Sequence, residues 1–338
     1  MIKGLVHSMK RRMERRAVVL MYHRVADVAP DVWRLAVHPQ RFEEQLQVLS
    51  RNWQVVPLAD LVKDLIHQKL KRKCVAITFD DGYADNSILA RPLLEKYRLP
   101  ATFFITTGNI GQQTEFWWDV LEHMMLSAKE LPQHLTLQIG QTQVTFDLGD
   151  ERWLTADLER KHYTWKAYVQ EPPTLRCTLF LRLWEALKPL PHQAQQQHLR
   201  QLKAWSGFST TTRPLFHSMH EQQLRELAQH DLFQLGAHTV SHPDLASLSV
   251  TEQQQEILGS KTTLERVTGT EIQLLAYPYG SCNDETVTIT AEAGFLAAVT
   301  TAGCLVNPDT DRYRLGRFLA DDWSGKQLDQ YLTAWLHA

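Results

Sequence analysis

The stretch CVAITFDDGY, residues 74–83, decides how the rest of the chain is read. Cys74 to Phe79 form a near-continuous apolar run of strand length, as expected for a strand covered on both faces in a parallel sheet. Asp80 and Asp81 follow at the C-terminal end of that strand, the end at which parallel α/β sheets build their sites. Neighbouring strand residues face opposite ways, so both carboxylates serve one site only if the chain bends there, and Gly82 permits the bend. Two carboxylates so close repel each other unless a cation or a shared proton lies between them, so the pair predicts a bound metal. An ordinary Asp-Gly turn with a helix cap accounts for one acid here but not for two.

On either side, short apolar runs alternate with amphipathic stretches, the pattern of βα units around a parallel sheet. Strands are expected over 17–21, 54–56, 101–105, 233–237, 273–276 and 296–300, and helices over 42–49, 58–70 and around 88–97. Ser218-x-x-Glu221 and Ser249-x-x-Glu252 each read as a capping box that opens a helix. Between residues 112 and 215 the alternation stops. Helical periodicity dominates, a β-like patch covers Leu135–Leu148, and Trp117, Trp118, Trp153, Trp165, Trp184 and Trp205 fall there. This is read as an insertion on one βα loop, its tryptophans either forming its own core or stacking on sugar rings. The expected organisation is a basic tail over 1–15, an α/β barrel of seven or eight units over 16–111 and 216–338, and a mainly helical insertion over 112–215.

The 338 residues are 43% apolar and 22% charged, the composition of a globular protein rather than a disordered or fibrous one. Lys and Arg number 36 against 38 Asp and Glu, so no chain-wide basic field exists to hold a polynucleotide, and no nucleic-acid partner is expected. Cys74, Cys177, Cys282 and Cys304 lie far apart and read as buried small hydrophobes of a reducing compartment, a disulfide being the alternative. Residues 1–16 are basic but lack the apolar run of a signal peptide, and no window reaches 18 uninterrupted apolar residues. A cytoplasmic protein without a membrane span is expected. Its basic start is either a solvated tail or a peripheral contact with anionic lipid through Leu5, Val6 and Met9.

Fifteen histidines exceed what an ordinary core needs, and two of them carry the second half of the site. Gly236-Ala237-His238-Thr239-Val240-Ser241-His242-Pro243 also ends a strand and presents His238 and His242 four residues apart. Pro243 keeps His242 out of helical geometry, so the pair is expected on a strand-end loop with one tight turn. One carboxylate and two imidazoles make a three-ligand set with an open position for water, the composition of catalytic zinc. Ala276-Tyr277-Pro278-Tyr279-Gly280 ends another strand, where the proline fixes the backbone so that the Tyr279 N–H points into the cleft. Met21-Tyr22-His23-Arg24-Val25 ends the first strand and adds His23 as an acid/base candidate at the same rim.

TFDDG followed by H-T-x-x-H resembles the polysaccharide deacetylase family, with its NodB homology domain, and MYHRV with AYPYG resembles its poly-N-acetylglucosamine deacetylase branch. The resemblance spans roughly residues 17–111 and 216–323. It implies a distorted (β/α)7-8 barrel and metal-dependent hydrolysis of an N-acetyl group from an amino sugar in a polysaccharide, oligosaccharide or lipid-linked glycan. By position, Asp81, His238 and His242 resemble the metal ligands, zinc foremost among divalent ions; Asp80 resembles the general base and Tyr279 the oxyanion-hole donor. The histidine that other members carry near the C-terminus is absent, and the branch draws the equivalent from its YHR motif, which makes His23 the general acid. The arginine found before the Pro-Tyr motif is replaced by Ala276, with Arg317 or Asp322 as substitutes for holding the base. Two other readings use the same residues: a fold that binds glycans without catalysis, and a carbohydrate O-acetyl esterase.

Overall fold

The computed structural model describes residues 15–71, 73–209 and 213–337, and its first secondary-structure element is β1 (Ala17–Tyr22). There follow β2 (Arg24–Val25), β3 (Ala36–Val37), α1 (Pro39–Asn52), β4 (Gln54–Val55), α2 (Leu58–Ile66), β5 (Cys74–Phe79), α3 (Arg91–Tyr97) and β6 (Ala101–Ile105). The middle of the chain holds α4 (Trp117–Ser127), β7 (His134–Ile139), β8 (Thr142–Asp147), α5 (Ala156–Thr164), α6 (Leu175–Leu187) and α7 (His192–Ser206). The alternation resumes with α8 (Glu221–Ala228), β9 (Phe233–Ala237), α9 (Val250–Thr268), β10 (Leu274–Ala276), α10 (Asp284–Glu292), β11 (Ala297–Val299), β12 (Phe318–Leu319) and α11 (Gly325–His337).

The chain forms two compact units, one made of residues up to Asp27, Ala36–Gln112 and Ser218–Ala338, the other of Val28–Leu35 and Gln113–His217. In the first, parallel strands run in the order β11-β10-β9-β6-β5-β1-β12, with β4 beside the start of β5. Val299 bridges Leu315, just before β12, so the hydrogen-bonded circuit closes on itself as a distorted barrel. Every residue of β1 and β5 is buried, because their alternate side chains enter different layers. Val18, Leu20, Tyr22, Val75, Ile77 and Phe79 pack with α1, α8, α9 and α11. Ala17, Val19, Cys74, Ala76, Phe104 and Ala276 pack with Leu58, Leu61, Val62 and Leu65 of α2. This second layer is built mostly of smaller side chains, as the inside of a narrow barrel requires.

The second unit contains the antiparallel hairpin β7–β8 where the β-like patch was expected, and helices α4 to α7. Fully buried Arg176 donates to the carbonyls of Met125, Ala128, Glu151 and Arg152, tying the start of α6 to the end of α4 and the turn before α5. Trp117, Trp118 and Trp165 are core residues there, whereas Trp153 is half exposed. The packing reading of the tryptophans therefore holds for these three.

Several expectations are corrected. The helix expected over 58–70 stops at Ile66, because Gln68 adopts φ 56° and Lys69 N–H returns to Asp64 O. Ser218 does not cap α8. It bridges Tyr83, and the capping box is formed instead by His220 Nδ1 on Gln223 N–H and Gln223 Oε1 on His220 N–H. The box at Ser249–Glu252 is present. All four cysteines are free thiols, but only Cys74 and Cys177 are buried, and Cys304 is exposed. The basic tail lies outside the described residues except for Arg15, which donates to Gln68 O. Among the described residues, no helix is long and apolar enough to cross a membrane.

Candidate metal centre

Four strand ends deliver the site. After β5, Gly82 N–H donates back to Asp80 O at 2.8 Å with Asp81 between them at φ 70°, the rare positive-φ form of a γ-turn. Gly82 continues at φ 82°, and a Cβ there would meet Ile105 side-chain atoms at 3.1 and 3.3 Å, which is why glycine is needed. The bend expected at Gly82 thus begins one residue earlier. A five-residue π-helical turn, Asn86–Ala90, follows directly.

After β9, His238 keeps its place in the ladder through its N–H on Ile105 O. The chain then turns through Thr239 at φ 63° and His242 at φ 60°, a non-helical strand-end loop as expected, although His242 takes the left-handed form rather than the extended one that a following proline favours. His238 Nδ1 lies 2.7 Å from Ala276 O at the end of β10, so that nitrogen carries the proton and Nε2 keeps its lone pair for the cleft. Asp81 Oδ1 faces His238 Nε2 at 3.5 Å and His242 Nε2 at 3.4 Å. Both gaps exceed a good N–H···O bond, and Asp81 Oδ1 is buried without a hydrogen-bond partner. They match the separation of two donors on one tetrahedral ion, about 3.4 Å for bonds near 2.1 Å. Among the described residues, this is the group of acid and imidazole donors with the spacing to hold an ion, and all three are buried. The donor set therefore fits a divalent metal.

Electrostatics agree with that fit. Burial would raise the Asp81 carboxyl, but His238, His242 and His23 hold it far below the usual carboxylate range. Burial opposes charge on His238 as well, yet Asp81 and Asp80 raise its pKa. His242 is pushed down to about 3, by burial first, and is neutral near pH 7.

Asp80, although adjacent to Asp81, has a different partner. Arg317, just before β12, grips both its oxygens, Nη1 to Oδ1 at 2.7 Å and Nη2 to Oδ2 at 2.6 Å. Arg317 is itself fully buried, and its remaining donors reach Thr300 O and Thr78 Oγ1. Burial pushes the Asp80 carboxyl up, but the Arg317 charge, with His238 and His23, brings it below its ordinary value. Arg317 therefore holds this carboxylate where Ala276 cannot. Asp322 does not: its Oδ1 accepts from His38 N–H.

His23 lies between β1 and β2, close enough for its charge to lower both aspartates, and its Nδ1 is buried without a hydrogen-bond partner. Its carbonyl accepts from Asn86 Nδ2, while Asp85 accepts from Arg24 Nε and Val25 N–H. Three consecutive residues of the first motif are thus clamped by Asp85 and Asn86, a few residues after the aspartates. Sequence reading missed Asp85 and Asn86, although two polar residues directly behind the turn were the available signal. Tyr279 takes φ 58°, and its half-buried ring meets the His242 ring edge-on at 4.7 Å.

The sequence profile of the polysaccharide deacetylase family matches residues 67–136 and 199–298, half of the chain and both metal-site motifs. The chain belongs to the polysaccharide deacetylase family. Among its relatives, YxkH of Bacillus subtilis (strain 168) is 22% identical over 94% of this chain and 76% of its own length. The poly-β-1,6-N-acetyl-D-glucosamine N-deacetylase of Staphylococcus aureus is 30% identical over 135 residues, 36% of this chain and less than half, 44%, of that protein. The structure of the Streptococcus pyogenes deacetylase PplD aligns over 94% of this chain and 98% of its own, with TM-score 0.55 and 21% identity, and shows the fold. As a polysaccharide deacetylase this protein is a hydrolase with the NodB-type barrel.

Proposed function

We propose that this deacetylase hydrolyses the N-acetyl group of an amino sugar within a glycan, releasing acetate, and that it requires a divalent metal at Asp81, His238 and His242. The observation that carries this reading is the γ-turn that separates two adjacent aspartates, one facing two imidazoles and the other locked to a buried arginine. When bound, a divalent cation, zinc foremost, supplies Lewis-acid polarisation of a carbonyl and acidifies water.

The chain's own residues supply the rest. Asp80, kept ionised by Arg317, accepts the proton of the water that adds to the acetyl carbon. The Tyr279 N–H, on a backbone fixed by Pro278, donates to the oxygen on which negative charge builds. His23 gives a proton to the nitrogen as the C–N bond breaks, leaving acetate and a free amine. Ala276, in place of an arginine, would leave the base unheld and favour a fold that binds glycans without catalysis, but Arg317 grips Asp80 instead. Residues 28–35 and 113–217 form a separate module in this reading.

The test is acetate release from N-acetylglucosamine oligomers, with an O-acetylated glycan in parallel, on protein stripped with a chelator and reloaded with Zn2+. We expect release from the N-acetylated substrate, loss on stripping and recovery with Zn2+. Release that ignores the chelator contradicts the metal requirement, and release from the O-acetylated glycan alone makes the protein an esterase.

A further inference from the structure

The loop between the two imidazoles follows a path it would not hold alone. Thr239 and His242 both lie in the left-handed region, uncommon for a β-branched residue and for a residue that precedes proline. One side of the loop is tied down: Thr107 N–H donates to Thr239 O at 3.1 Å, Gly108 N–H to Val240 O at 2.7 Å, and His242 N–H to Thr239 Oγ1 at 3.0 Å. The N–H groups of Val240 and Ser241 turn the other way. Both donate to Glu256 Oε2, each at 2.8 Å, and Ser241 Oγ donates to Glu256 Oε1 at 2.6 Å. Glu256 thus takes three donors from two consecutive residues. It sits on α9, which is opened by the Ser249 box and anchored by buried Ile257, Ser260 and Leu264, so the carboxylate rides on a rigid element.

We infer that Glu256 is a positioning residue for the metal centre: through the backbone of Val240 and Ser241 it sets the separation and aim of His238 and His242, and thereby the affinity for the ion. This rests on the reading of Asp81, His238 and His242 as that centre. Partners one shell outside the ligands typically change metal affinity about 10- to 100-fold. Without Glu256, two backbone donors of a half-buried loop lose their acceptor, and the loop relaxes out of its left-handed turns.

The test is the dissociation constant for Zn2+ alone, measured by chelator competition on metal-stripped full-length protein, together with the Tm of each metal-free variant. Glu256→Ala should bind Zn2+ about 10- to 100-fold more weakly than wild type. Glu256→Gln should stay within about threefold, since its amide oxygen takes both N–H groups and its NH2 donates to Ser241 Oγ. A purely structural tie would lower the Tm of Glu256→Ala and leave its affinity within twofold of wild type, and that result overturns the inference. Should Glu256→Ala not fold, Glu256→Asp decides, because its shorter side chain draws the carboxylate away from the Val240 and Ser241 N–H groups: weakening of threefold or more supports the role, and unchanged affinity overturns it. Failure of the wild type itself to bind Zn2+ would instead overturn the metal-centre reading.

Discussion

Arg317 and Asp80 are the pair on which the chemistry leans, and each is costly to bury without the other. Removing one partner of such a pair typically costs about 3–5 kcal/mol, so Arg317→Ala should destabilise the protein by that order at neutral pH. The pH dependence has a definite sign. In the wild type the depressed Asp80 pKa contributes stability above the ordinary carboxylate range, and that contribution is lost as the pH falls through the lower folded value. In Arg317→Ala, burial raises Asp80 instead, so its carboxyl favours the fold at acid pH and disfavours it as the pH rises. The stability gap between the two proteins, measured by urea unfolding, should therefore shrink between pH 7 and pH 4; a gap that widens contradicts the pairing. His238 gives a second sign. Its raised pKa means that Zn2+ must displace a proton, so affinity should rise with pH, by at most about tenfold per unit, until that pKa is passed. Competition titrations at pH 6, 7 and 8 check this, and a flat profile contradicts it. At this scale the residues that end strands were legible, whereas Arg317 could be named only as one of two candidates, beside Asp322, because it lies 237 positions from Asp80 and no local pattern joins them.

Elements were most legible where burial on both faces forces an unbroken apolar run. Cys74–Phe79, Ala101–Ile105 and Phe233–Ala237 have the boundaries read from sequence. Reading failed where a tertiary partner overrode local chemistry. Ser218 has the right neighbour for a capping box, but its pairing with Tyr83 and the Met219 N–H bond to Gly82 O draw it into the site's wall, leaving the cap to His220. That wall leaves the turn after β5 little room to change. Gly82→Ala must accept φ 82° and crowd Ile105, so it should lower stability by more than about 1 kcal/mol and weaken Zn2+ binding through Asp81. Thermal unfolding and Zn2+ titration of the variant check both; a neutral substitution would mean that the turn does not position Asp81.

For the molecule as a whole, the decisive feature is that each unit has its own buried core, one around the parallel strands and one around α4, α6 and the hairpin. That the second unit also takes Val28–Leu35 was not readable, because those residues carry no periodicity and their partners, such as Glu122 and Ala167, lie some hundred positions away. Only the first unit carries the triad. Calorimetry should therefore resolve two transitions, with Zn2+ raising the one that belongs to the barrel by mass action. A single transition would contradict separate units, and movement of both by Zn2+ would contradict an ion confined to the barrel. The two adjacent aspartates divide the labour, and the most direct test of that division is acetate release by zinc-loaded Asp80→Asn protein. We expect about one zinc per chain retained and turnover reduced by two to four orders of magnitude, about the contribution of a positioned base. Turnover at the wild-type rate with zinc bound would contradict the assignment of Asp80 and, with it, the mechanism.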